Sequence, residues 1–258
     1  MIPAVAALLA SGANSSRATP CSLGAPSRVA IAGFEERGEI RLADGRTARL
    51  VGLDVPDSGR GDGHHAGDIR EFLENWFAEG EISFASAAAA HDRWGRTPGD
   101  FSVSSDDAPL SIALLRQGLA RVRPEPETRA CADDRFHAEA EARHAGLGVW
   151  IDPYYSWLEA SDVEELRARD GQFVLVEGVV VKVTAGRNRT YLDFGGRGGF
   201  SVVVPKALAP ALRVTGVELE GLRGSRVRVR GAMDARFGPR MEIADPRMIE
   251  RVESAGSR

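Results

Sequence analysis

The stretch that most constrains this chain runs from Arg41 to Asp57 and reads RLADGRTARLVGLDVPD. Leu42 precedes the Asp44-Gly45 pair, and Thr47, Arg49, Val51 and Leu53 follow it at a period of two. That is the pattern of two strands joined by a tight hairpin. The second strand ends in chemistry: Arg49 lies on it, and Asp54 and Asp57 flank Pro56 where it opens into a loop. A guanidinium and two carboxylates gathered there suit a phosphodiester, because carboxylates hold a hard cation and a planar donor fork grips phosphate oxygens. Taken alone, the same residues also describe a turn with a surface ion pair.

Two further stretches bear on that choice. His91 to Arg96 reads HDRWGR, and Ala138 to Trp150 reads AEAEARHAGLGVW. Together, RTARLVGLDVPD, DRWGR and the last of these resemble the staphylococcal nuclease-like (thermonuclease) family, whose pattern is roughly R-x-R-L-x-G-I-D-x-P-E, then D-[KR]-[YW]-G-R, then a closing helix. The resemblance covers roughly residues 27 to 152.

The resemblance implies an OB-fold barrel and a calcium-assisted nuclease. On it, Arg49 and Arg96 match the two arginines that grip the phosphate, Asp54 matches one metal aspartate, and Val55 offers the metal a backbone carbonyl. Asp57 stands where the family has the glutamate that positions the attacking water, one methylene short. Trp94, with Arg93 beside it, falls to the substrate. The family's other metal aspartate belongs to an Asp-Gly-Asp-Thr stretch, but here the chain reads Glu35-Glu36-Arg37-Gly38-Glu39. Aligned without a gap the aspartate becomes Gly38, and with a one-residue deletion Glu39 takes its place. Glu36 or Glu39 would have to substitute, since a hard cation needs several oxygens.

The rest of the chain fits two barrels. Strands are expected at 28–34, 38–43, 47–53, 81–86 and 99–103, and helices at 65–78, 110–119 and 127–145, the last stopped by Gly146. After a charged, helical linker the periodicity turns to two and stays there. Phe173, Leu175, Glu177, Val179, Val181 and Val183 line one face of a long strand, and further strands are expected at 191–194, 200–204, 225–231 and 240–243, with a short helix at 205–212. The fold class is therefore α+β and mainly β: a five-strand OB-fold barrel capped by three helices, followed by a second OB-like β-barrel. The expected divisions are 1–26, 27–152, 153–170 and 171–253. TYLDFG, VRVRG and FGPRMEIADP also resemble the accessory domain that follows a thermonuclease-like domain in some bacterial proteins.

Composition sharpens the question of partners. The chain has 33 Lys and Arg against 37 Asp and Glu, a net charge of -4, which argues against binding nucleic acid over its whole surface. The charge is uneven: residues 1–170 carry 18 against 28, and residues 171–258 carry 15 against 9. Arg226, Arg228 and Arg230 recur at period two, so they share one strand face, and that face is expected to meet a polyanion. Residues 1–19 pair a short apolar run with small and polar residues, which reads as a secretory signal without its basic start or as a disordered tail, and the export signal is the favoured of the two. That points to a periplasmic or secreted protein, in which Cys21 and Cys131 are free to pair. No apolar run is long enough to span a membrane. His64, His65 and His91 match no metal motif and are expected at the solvent surface. Two functions remain: an exported, calcium-assisted nuclease of DNA or RNA, or a non-catalytic module whose two barrels hold nucleic acid or a protein.

Overall fold

The computed structural model describes residues 21, 23–35, 38–56, 59, 63–87, 91–106 and 108–252. The signal-like segment, Glu36 and Asp57 lie outside them.

The first unit is built on a bent strand β1, which runs as Ser27–Arg28 and resumes as Ile31–Phe34, followed by β2 (Ile40–Leu42), β3 (Thr47–Leu50), β4 (Ile82–Ser86) and β5 (Thr97–Val103). The sheet runs from Ser27–Arg28 through β4, β5, β3 and β2 to Ile31–Phe34. Its two ends are pieces of one strand, so the sheet curls round on itself in the cyclic order 1-2-3-5-4-1 of an OB barrel. Only β3 and β5 run parallel. Alternation places Ile40, Leu42, Ala48 and Leu50 inside with Phe84, Phe101 and Val103.

Three helices cover this barrel: α1 (His64–Ala78), α2 (Leu110–Arg116) and α3 (Ala132–Ala145). Ile69, Leu73, Trp76 and Phe77 form the buried face of α1. Helix α2 stops three residues short of expectation. Gly118 has φ 67° there, and a Cβ on it would come 2.2 Å from the Leu147 carbonyl oxygen, so the chain turns where the two segments touch. Helix α3 starts late because Pro126–Cys131 forms a 3-10 segment, and it ends at Gly146 as its sequence predicts. His65 departs from expectation. It is buried at the start of α1, with Nε2 3.1 Å from Asp152 Oδ2. Cys21 and Cys131 form a disulfide across a sequence separation of 110 residues, and constraining so long a loop in the unfolded chain contributes on the order of 4 kcal/mol.

A short helix α4 (Val163–Ala168) leads into the second unit. There β6 runs as Phe173–Val179 and resumes as Lys182–Ala185, followed by β7 (Arg189–Asp193), β8 (Ser201–Pro205), α5 (Ala209–Val214), β9 (Arg226–Asp234) and β10 (Arg240–Glu242). The sheet order is Lys182–Ala185, β7, β8, β10, β9, Phe173–Val179, with β8 and β10 parallel, which repeats the cyclic order of the first unit. Val174 and Val176 enter this barrel's core with Leu192, Val202, Val204, Val227 and Val229. Phe173, Leu175 and Glu177 therefore lie on the outer face.

Cross-strand pairing puts Arg230 beside Leu175 and Arg228 beside Glu177, so the arginine stripe shares that outer face. It is not a free basic surface. Arg230 is 1% exposed and donates to both oxygens of Glu139 on α3, at 3.0 and 2.9 Å, and to the Val122 carbonyl. Arg226 and Arg228 both donate to Glu177. Arg121 of the first unit donates to the Phe173 carbonyl at 2.9 Å, and Arg129 pairs with Asp245 at 2.6 Å. Of the expected polyanion face, Arg230 thus belongs to the joint between the two barrels, while Arg226 and Arg228 stay partly exposed and are paired with Glu177 and Glu159.

Candidate active site

Arg49 and Arg96 are 47 positions apart in sequence and meet because of one parallel pairing. In the register of β3 on β5, Ala48 faces Thr97 and Arg49 faces Pro98, so Arg96 arrives at the strand's edge next to Arg49. Ala48 and Leu50 are buried in the barrel, and the alternation turns Arg49 to the opposite face.

The HDRWGR motif is a turn that aims Arg96. Asp92 Oδ1 accepts from the backbone N–H groups of Trp94 (2.9 Å) and Arg96 (3.0 Å), and Gly95 supplies φ 77°. Asp92 Oδ2 then accepts from Arg96 Nε at 2.8 Å and lies 3.8 Å from Arg49 Nε. One carboxylate thus spaces the two guanidiniums. Glu39 Oε1 accepts from Arg96 Nη1 at 2.6 Å, and Glu125 takes the Arg49 fork with both oxygens, at 2.9 and 3.0 Å. The result is an alternating chain, Glu125–Arg49–Asp92–Arg96–Glu39. Trp94 stands beside it, 63% exposed, between the guanidiniums of Arg93 (3.8 Å from the ring centroid) and Arg96 (4.7 Å).

The electrostatics hold every member charged where a shift is resolved. Burial works against the Asp92 carboxylate, but hydrogen bonds from the Arg96 side chain and from the Arg96 and Trp94 backbones outweigh it and hold its pKa below the usual value. Burial also works against the Arg96 guanidinium, while its bonds to Asp92 and Glu39 push its pKa up.

The other residues expected at a metal are placed differently. Asp54 is buried and accepts from Arg121 Nη2 at 2.6 Å and Nε at 3.1 Å; the two sit opposite each other in the short pairing of Leu53–Asp54 with Arg121–Val122. Arg121 extends from there to the second barrel. Gly38 has φ 72°, and a Cβ on it would lie 2.7 Å from Val55 Cγ1. That position, one of the two alignments for the second metal aspartate, has no room for a side chain as the loop stands. Glu39 faces Arg96, and Asp57 lies outside the described residues. Among the described residues no group of three or more His, Cys, Asp or Glu is arranged to hold a metal ion.

Residues 47–152 match the family model described as staphylococcal nuclease homologue. This segment is a staphylococcal nuclease-like domain. Its match begins at β3 and ends just past the closing Gly-Val-Trp turn, and it contains both arginines. No curated protein matches the chain. Domains of this family bind nucleic acid, and no helix among the described residues is long and apolar enough to cross a membrane.

Within the nuclease-like domain, sequence reasoning missed Glu125 and Arg121. Glu125 sits between prolines in RPEPE, after the last strand pairing, and no spacing rule links it to Arg49 76 positions earlier. Arg121 reads in the sequence as one more surface cation. The one available signal is its place two residues before Arg123 in a short apolar run, which suggests a strand end but not a buried partner.

Proposed function

We propose that the protein is a phosphodiester hydrolase acting on nucleic acid, with Arg49 and Arg96 as the pair that binds the scissile phosphate. The observation that carries this reading is the parallel pairing of β3 with β5, which brings both arginines onto one carboxylate, Asp92. Two forks gathered on one carboxylate give several N–H donors to phosphate oxygens once the phosphate displaces their acidic partners Glu125 and Glu39. Their charge is most valuable where negative charge gathers in the transition state. Trp94 offers a base an exposed ring, which suits a substrate of any sequence. Asp57 remains the proposed positioner of the attacking water.

Nucleases of this family depend on calcium in general. Calcium is assigned here to Asp54, Val55 and Glu39 only on that resemblance, and as arranged the described residues do not fit the ion. Asp54 is engaged by Arg121 and Glu39 by Arg96, whereas a hard cation takes 6–8 oxygen ligands. The Cys21–Cys131 disulfide supports a further proposal, export to an oxidising compartment such as the periplasm or the exterior.

The test is cleavage of labelled single- and double-stranded DNA and RNA by the purified chain, with added calcium and with a chelator. The expected result is cleavage that falls on the order of a hundredfold or more in Arg49→Ala and in Arg96→Ala, the loss typical of removing one charge-stabilising donor. Trp94→Ala should raise KM more than it lowers kcat. A folded wild type that cleaves none of the substrates under either condition sinks the reading.

A further inference from the structure

We propose that the second barrel carries a separate groove for single-stranded nucleic acid, formed by the outer face of β7 and β8 and the loop between β9 and β10. The inference takes its ligand class from the proposed substrate but stands on a different surface. The groove measures about 530 Å³. Leu192 points into the core, so the alternation on β7 turns Arg189, Tyr191 and Asp193 outward together. Tyr191 lies opposite Val203 of β8, which gives the groove an apolar floor with a ring on it. Tyr191 is 37% exposed and Phe237, on the β9–β10 loop, is 87% exposed. The two rings, with the Arg240 guanidinium 5.9 Å from the Phe237 centroid, give this concave face an exposed aromatic surface on which a base can stack.

The charge around those rings selects the partner. Lys182, Arg189, Arg197 and Arg240 line the groove against one lining carboxylate, Asp193. Arg189 and Arg240 are shared with Glu242 and Asp234, whereas Lys182 and Arg197 have no ion-pair partner among the described residues. A neutral oligosaccharide has no charge for these cations, an acidic one has no flat base to stack on the rings, and a duplex keeps its base faces stacked inside. A single strand offers both unstacked bases and phosphates. The place is also apt, because an OB barrel binds on the face of its second and third strands beside the loop between its fourth and fifth.

The experiment is fluorescence anisotropy of the full-length chain with a labelled phosphorothioate oligothymidylate about fifteen nucleotides long, a length that fills one OB barrel. Tyr191→Ala and Phe237→Ala should each weaken binding about five- to a hundredfold. The double variant Lys182→Gln/Arg197→Gln should flatten the slope of log affinity against log salt by about 1.4, roughly 0.7 for each single-strand phosphate that is no longer neutralised. Hydrolysis of a nitrophenyl ester of thymidine monophosphate, too small to reach the groove from the arginine pair, should stay at the wild-type rate. Phe237→Leu keeps apolar bulk on an exposed loop, so it decides the matter if Tyr191→Ala fails to fold.

Affinity unchanged in Phe237→Leu and in the cation variant overturns the proposal. So does equal binding of inorganic polyphosphate with no effect of either ring. A wild type that binds the oligonucleotide through Tyr191 and Phe237 yet hydrolyses neither ester nor polymer keeps the groove and removes the nuclease reading. Hydrolysis without dependence of binding on these residues does the reverse.

Discussion

Glu125 grips the Arg49 guanidinium with the two-oxygen geometry that a phosphate would use. A phosphodiester reaching Arg49 must therefore displace a carboxylate from the same fork. Glu125→Gln removes the charge and keeps the shape, and a hydrogen bond to a charged group is worth about 1.5–3 kcal/mol. The expected outcome is tighter binding of a non-hydrolysable dinucleotide, by about tenfold, with the thermal midpoint lowered by a few degrees. Weaker binding would instead make Glu125 the support that holds Arg49 in place. The arginine pair itself was legible in the sequence, because each arginine sits in a motif with its own turn or strand signal. Their acidic partners were not, since an ion pair across the fold leaves no local periodicity.

At the scale of the element, the turn from Asp92 to Arg96 couples the site to pH. The Asp92 carboxyl is held below its ordinary value, so the stability it contributes is present above the unfolded value of about 3.9 and is lost as pH falls through the lower folded value. Asp92→Asn should accordingly destabilise the chain at neutral pH by about 1–2 kcal/mol and by much less near pH 2. Parallel melting curves at the two pH values check this, and an equal loss at both would mean that Asp92 acts by shape alone. Strand and helix positions were legible to within a few residues wherever hydrophobic period or glycine marked them, as at Gly146. The shortened α2 was not, because Gly118 stops it through a close approach to Leu147 that only the folded chain makes. On β6 the period of two was right, but periodicity cannot say which face is the core. Val174 and Val176 took it, and Phe173 went to the opposite face, where Arg121 and Arg123 of the first barrel lie over its ring.

The whole molecule turns on that second face. The positive balance of residues 171–258 was visible in composition, and three of its arginines were visibly on one side of one strand. What covers a strand face is a tertiary fact: here the neighbouring barrel takes Arg230, while Glu159 and Glu177 take Arg226 and Arg228. Arg230 lies between Glu139 and the Val122 carbonyl with both side chains of the pair almost wholly buried. Taking two charges out of water is costly, so the pair adds little net stability over an apolar contact, but removing one partner strands the other. Arg230→Ala should therefore cost about 3–5 kcal/mol, most of it the penalty of a buried, unpaired Glu139. Arg230→Met with Glu139→Gln should recover most of that loss, because it leaves no buried charge behind; Glu250, the other partner of Arg230, reaches solvent. Since the pair joins the barrels, the effect should also appear as reduced cooperativity: a single calorimetric transition in the wild type, and two in Arg230→Ala, with the nuclease-like domain still held by its disulfide. Two transitions already present in the wild type would show that the barrels are stable separately and that the buried joint does not couple their folding.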